Sequence, residues 1–147
     1  MVCSYFSANP LEMATIQRFE DMEIWKKSRE LCQRVYPLTF KEPIKSEFRI
    51  KDQMRGSIVS IMDNIAEGFE RASRLEFIHS LSIAKGETGE LKSQLYKGLD
   101  NRYLTSELFT EIYILADQLT KMLNSFIRYL NNTNTKGQKF KNRPGHE

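Results

Sequence analysis

The chain has 147 residues, 40% of them hydrophobic and 28% charged, which fits one globular domain able to build a core without disulfide or metal support. No apolar run approaches the ~20 residues of a membrane span, and the N-terminus lacks the charged-then-apolar pattern of a secretion signal. The net charge of +3 sits wholly in residues 136–147, where Lys136, Lys139, Lys141 and Arg143 oppose Glu147, so the body is electrically balanced and not a globally basic nucleic-acid protein.

Residues 1–17 read as an N-terminal tail, within which Met13-Ala14-Thr15 offers a second start to translation. The first apolar-periodic segment runs from about Phe19 to Leu38. Met22, Trp25, Ser28, Cys32, Val35 and Thr39 recur at a 3-and-4 spacing, one stripe of an α-helix. Ile24, Leu31 and Leu38 form a second row, expected to stay exposed in a monomer and to seek sister chains. Pro43 marks the end of this segment.

A second helix is expected from Ser46 as N-cap. It carries Ile50, Met54, Ser57, Ile58, Ile61, Ile65 and Phe69, with Met62 widening the apolar face and Gly68 near its end. The third has the clearest start, because Ser73-Arg74-Leu75-Glu76 fits a reciprocal capping box. Phe77, Leu81, Ala84, Thr88, Leu91 and Leu95 then make a heptad seam. Gly86 and Gly89 lie off that seam, and their helix penalty of about 1 kcal/mol each predicts close approach of another backbone.

After a turn at Gly98–Arg102, Thr105 or Ser106 caps a fourth segment with Leu108, Ile112, Leu115, Leu119, Met122 and Phe126 on one seam, ending near Leu130. Residues 131–147 are polar, basic and aperiodic, which predicts a disordered tail. Four amphipathic helices with short connections predict an all-α, antiparallel up-down-up-down four-helix bundle over residues 18–130.

Three blocks then resemble a known family. They are Phe19-Glu20-Asp21-Met22-Glu23-Ile24-Trp25-Lys26-Lys27-Ser28; Gln53 with Ser60-Ile61-Met62-Asp63-Asn64-Ile65-Ala66-Glu67-Gly68; and Glu76-Phe77, Leu81-Ser82-Ile83-Ala84-Lys85-Gly86, Glu90-Leu91 and Gln94-Leu95, followed by Tyr103-Leu104. The chain resembles the four-helix-bundle proteins first noticed as products of intervening sequences in bacterial 23S ribosomal RNA genes. Ser28, Met62-Asp63 and Glu87 depart from the family pattern. The resemblance implies a bundle that assembles as a homopentamer, and it implies no particular reaction. A distant relative, the accessory variability determinant of diversity-generating retroelements, binds nucleic acid and pairs with a reverse transcriptase. That likeness is one of fold, which alone does not license function.

Catalysis lacks a constellation, since His79 and His146 are the two histidines and neither sits with a nucleophile and an acid. No glycine-rich phosphate loop occurs. Glu76-x-x-His79 has di-iron spacing, but a ferritin-type site needs a second such pair and two more glutamates. No metal, cofactor or enzymatic activity is therefore expected. Cys3 and Cys32 read as reduced thiols, in keeping with the cytoplasm.

Asp63, Asn64 and Glu67 fall within one turn of the second helix. With Gln53, Glu90 and Gln94 they are expected to form a structural polar network that fixes helix register, the alternative being a site that faces a partner. Trp25 is assigned to the core or to a subunit interface.

Nucleic-acid contact would fall to Lys26, Lys27, Arg29 and Arg34; Arg49, Lys51 and Arg55; Arg71 and Arg74; Lys85, Lys92 and Lys97; and the C-terminal Lys136, Lys139, Lys141 and Arg143. Such cations gain affinity by releasing counterions from phosphate, although acids interleave with them throughout. The expected function is a non-enzymatic, self-assembling bundle that binds RNA or DNA or serves a nucleic-acid enzyme such as a reverse transcriptase. A protein–protein scaffold is the alternative.

Overall fold

The computed structural model describes residues 16–133. Four helices dominate: α1 (Glu23–Val35), α2 (Phe48–Glu70), α3 (Arg74–Asp100) and α4 (Ser106–Asn132). Short 3-10 turns at Phe19–Asp21, Tyr36–Phe40 and Ile44–Ser46 precede α1 and join it to α2. Among the described residues there is no strand. The protein is an all-α four-helix bundle.

Each helix packs on its sequence neighbour, and α4 closes the ring against α1. Cross-helix contacts give the directions. Ser57, early in α2, bonds Gln94, late in α3, whereas Gly68, late in α2, abuts Ser80, early in α3. The Phe77 and Phe126 rings meet at 5.4 Å, while Lys92 reaches back to Asp117. Successive helices α2, α3 and α4 therefore run antiparallel.

The α3 seam is buried as its heptad spacing predicts, from Phe77 through Leu95. Ser73 caps α3 by accepting the Glu76 amide at 3.4 Å, but the capping box is not reciprocal. The Glu76 carboxylate turns instead to Arg71 at 3.2 Å. Thr105 caps α4 by accepting the Leu108 amide at 3.2 Å.

Several expectations are corrected. The first segment is not one helix to Leu38, because α1 gives way to a 3-10 turn after Val35. Its buried face is Ile24, Ser28, Leu31 and Val35, so the row expected to be exposed is core: Ile24 is 4% accessible and Leu31 is 1%. Trp25 and Cys32 flank that face half-buried, with Trp25 edge-on to Phe19 at 5.1 Å. Ser46 does not cap α2; it closes a 3-10 turn and donates to Glu42 Oε1 at 2.8 Å, and Glu47 holds the N-cap position without a side-chain capping bond.

On α4 the buried seam is Ile112, Ala116, Leu119, Leu123, Phe126 and Leu130. Leu108, Leu115 and Met122 lie beside it, partly buried. Asn131 and Asn132 still belong to α4, and the rest of the predicted tail, from residue 134, lies outside the described residues, as do residues 1–15.

The close backbone approach expected at Gly86 and Gly89 is absent there, and the glycines that are crowded, by side chains, are Gly68 and Gly98. An added Cβ at Gly86 or Gly89 would meet nothing within 4 Å, whereas at Gly68 it would lie 2.6 Å from Ser80 Cβ and at Gly98 2.9 Å from Leu104 Cδ1. Gly68 is thus what lets α2 and α3 converge near their shared turn. At the opposite side of that turn, Arg74 Nη1 donates to the Leu130 carbonyl at 3.0 Å, satisfying an acceptor in the last turn of α4.

Candidate functional site

The corner between α1 and α2 gathers cations on aromatic rings. It is built around Thr39, which is fully buried. The Thr39 hydroxyl donates to the Tyr36 carbonyl at 2.7 Å, tightening the 3-10 turn, and accepts from Arg55 Nε at 2.7 Å. That bond holds the Arg55 guanidinium 4.5 Å from the Phe40 ring centre and 5.2 Å from that of Tyr36, within cation–π range. One turn earlier on α2, Lys51 Nζ lies 4.4 Å over the Phe48 ring. Across the corner, Arg29 sits 5.8 Å over Trp25.

Phe40 and Phe48 are nevertheless 60% and 71% accessible, so each keeps ring surface open to solvent. Between α1 and the turn runs an apolar groove of about 510 Å³, lined by Arg29, Cys32, Gln33, Tyr36, Pro37, Phe40 and Met62. Burial raises the Cys32 thiol above its usual range, and the negative charge of nearby Asp63 adds to this, so the groove wall carries a neutral sulfhydryl.

Arg29, Lys51 and Arg55 make no ion pair among the described residues and sit on rings, whereas several other proposed contact residues are ion-paired. Lys26 pairs with Glu23 and Lys27 with Glu30. Arg34 pairs with Glu111, and Arg71 with both Glu67 and Glu76. Lys92 lies 2.8 Å from Asp117. Lys85 is bonded to Asn124 Oδ1 at 3.1 Å, and Arg74 to the Leu130 carbonyl. Arg49 and Lys97 are exposed. Lys136, Lys139, Lys141 and Arg143 lie outside the described residues.

The structure thus sets Arg29 at the rim of one groove and Arg55 on two of the rings that line it, places Lys51 a turn away, and spreads the rest over other surface. The rings of Tyr36, Phe40 and Phe48 were not singled out in the sequence. Their available signal was two phenylalanines bracketing Pro43 among Lys41, Lys45, Arg49 and Lys51.

The expected polar network does not form as a connected set. Gln94 Nε2 donates to Ser57 Oγ at 3.1 Å across α2 and α3, and its Oε1 is buried with no partner. Asn64 bonds back to Ser60 within its own helix. Glu67 goes to Arg71, and Gln53 and Glu90 are exposed. Asn64, Glu67 and Ser80 instead help line a second groove of about 520 Å³ with Leu75, His79 and Ile83. Among the described residues no three His, Cys, Asp or Glu side chains cluster as metal ligands, and no helix is long and apolar enough to cross a membrane.

The model of the 23S rRNA-intervening sequence protein family matches residues 20–125, nearly the whole bundle. The chain belongs to that family. A solved structure agrees: a protein of unknown function from the S23 ribosomal protein family of Bacteroides thetaiotaomicron is 30% identical. It superposes with a TM-score of 0.66, covering 71% of this chain and 98% of its own. No curated protein matches. The matched segment includes α1, the α1–α2 turns and α2, so the cation–aromatic corner lies within the matched residues.

Proposed function

We propose that this protein is a non-enzymatic bundle that binds nucleic acid, with the α1–α2 corner as its principal contact. The observation that carries this reading is the seating of unpaired cations on aromatic rings at one corner. Arg29, Lys51 and Arg55 rest on aromatic rings and not on carboxylates, which leaves their charge available to phosphate. The ion-paired cations elsewhere must first give up a partner. The C-terminal Lys136, Lys139, Lys141 and Arg143 add positive charge to the same chain. Filter binding of the full chain to RNA and DNA at two salt concentrations tests this. Affinity should fall log-linearly with salt, and no retention at low salt would remove the reading. Co-purification with a reverse transcriptase or another nucleic-acid enzyme would extend it, whereas capture of a protein without nucleic acid favours the scaffold alternative.

We also infer self-association, with the pentamer as the count implied by the family resemblance. The row of Ile24 and Leu31 no longer supports it. Its support is the α2–α3 groove, where Leu75 is 69% accessible and Ile83 is exposed beside it. Static light scattering that returned one chain's mass would remove this inference.

A further inference from the structure

We infer that the α1–α2 corner selects single-stranded over duplex nucleic acid, by stacking unpaired bases on Phe40 and Phe48. The inference rests on the nucleic-acid reading above and specifies its ligand.

The argument is geometric. An exposed phenylalanine contributes nothing to phosphate binding, and on a duplex its ring finds no free base face, because the bases are stacked on one another. A ring presented beside a cation is the arrangement that takes a splayed base and its phosphate together. Here that pairing occurs twice. The Arg55 guanidinium sits 4.5 Å from the ring centre of Phe40, a residue 60% accessible. Lys51 Nζ sits 4.4 Å from the ring centre of Phe48, a residue 71% accessible.

Phe48, Lys51 and Arg55 follow one another at three- and four-residue steps, so they share a face of α2. A backbone tracking that face would meet a cation beside each ring. The groove behind Phe40 is walled by Tyr36, Pro37 and Met62 and edged by Arg29, giving a flat base an apolar seat with a guanidinium at its rim. Asp52 is exposed on the same α2 face, between Phe48 and Arg55, and the acid on the groove side, near Cys32, is Asp63. It disfavours a phosphate deep in the groove, which leaves the base as the part that enters. Arg55 is positioned through the buried Thr39 hydroxyl and does not wander, so the platform exists before a ligand arrives.

The test is fluorescence anisotropy of the full chain with a labelled pyrimidine single strand and with a duplex of the same length, at low and moderate salt. The single strand should bind at least about tenfold tighter, the scale of one stacked base. Phe40→Leu and Phe48→Leu, both at exposed positions, should each weaken single-strand binding about five- to tenfold and leave duplex binding unchanged; Phe40→Trp should restore it. Equal affinity for both forms, or a Phe40→Leu variant with unaltered single-strand affinity, overturns the inference while leaving nucleic-acid binding in place. Loss of binding to both forms at low salt overturns the parent reading as well. Circular dichroism of each variant confirms that the bundle is retained.

Discussion

Arg55 Nε and Thr39 Oγ1 lie 2.7 Å apart, joining the middle of α2 to the turn that follows α1. The same hydroxyl donates to the Tyr36 carbonyl, so one buried side chain both closes the turn and aims the guanidinium at two rings. Thr39→Val keeps the shape and removes both bonds. It should destabilise the fold by about 1–3 kcal/mol, since it strands a carbonyl and an arginine nitrogen. It should also weaken single-strand binding. Urea melts read the first effect and anisotropy the second; an unchanged midpoint would contradict the role given to Thr39.

Glycines on α2 and α3 should respond oppositely to the same added methyl. At Gly68 a Cβ would lie 2.6 Å from Ser80 Cβ and 2.9 Å from Phe77 Cδ2. Gly68→Ala should therefore cost about 1–3 kcal/mol by overpacking. At Gly86 and Gly89 a Cβ meets nothing within 4 Å. Each change to Ala there should stabilise by up to about 1 kcal/mol through helix propensity alone. Thermal melts of the three variants decide it, and a stabilised Gly68→Ala would contradict the packing described.

Gln94 carries a buried Oε1 without a partner and an amide group bonded to Ser57. Removing the two partners should not be equivalent. Ser57→Ala leaves the whole buried amide unsatisfied and should cost about 1–3 kcal/mol. Gln94→Met removes the orphan along with the bond, and should cost distinctly less. Denaturant midpoints of the two variants supply the comparison, which equal losses would refute.

Asp117 sits between Lys92 at 2.8 Å and Lys121 at 3.0 Å. Hydrogen bonds from the two lysines hold its carboxyl below the ordinary 3.8, against a small opposing effect of burial. Because the folded value is the lower one, the stabilisation is present above the unfolded value and disappears as pH falls through the folded one. The pairs are partly exposed, so the gain is about 0.2–1 kcal/mol. Asp117→Asn should lower stability by that amount at about pH 7 and match the parent chain near about pH 2, measured by urea melts at both.

The helices and the α3 seam were legible because Phe77 through Leu95 obey one unbroken heptad, and a seam packed on both neighbours leaves no choice of face. α1 was harder. Met22, Trp25, Ser28, Cys32 and Val35 satisfy helical spacing as well as Ile24, Ser28, Leu31 and Val35 do, and the two rows share Ser28 and Val35. Only the position of α2 and α4 against α1 selects the second row. Ser46 looked like a cap because its chemistry is right; a 3-10 turn took it first.

The candidate site was half legible. Arg29, Lys51 and Arg55 stood out by charge, but nothing local marks them off from Lys26 or Arg71. The distinction lies in partners. Lys26 and Arg71 pair with carboxylates one helical turn away, whereas Arg55, with Asp52 equally near in sequence, finds Thr39, Tyr36 and Phe40 across a loop whose course depends on two successive 3-10 turns.

The bond from Arg74 to the Leu130 carbonyl ties the opening turn of α3 to the closing turn of α4. Neither end can fray alone without stranding a buried-side donor or acceptor of the other. The two segments, 56 positions apart in sequence, thus behave as one clasp, and their amide hydrogens should exchange with solvent on a common clock.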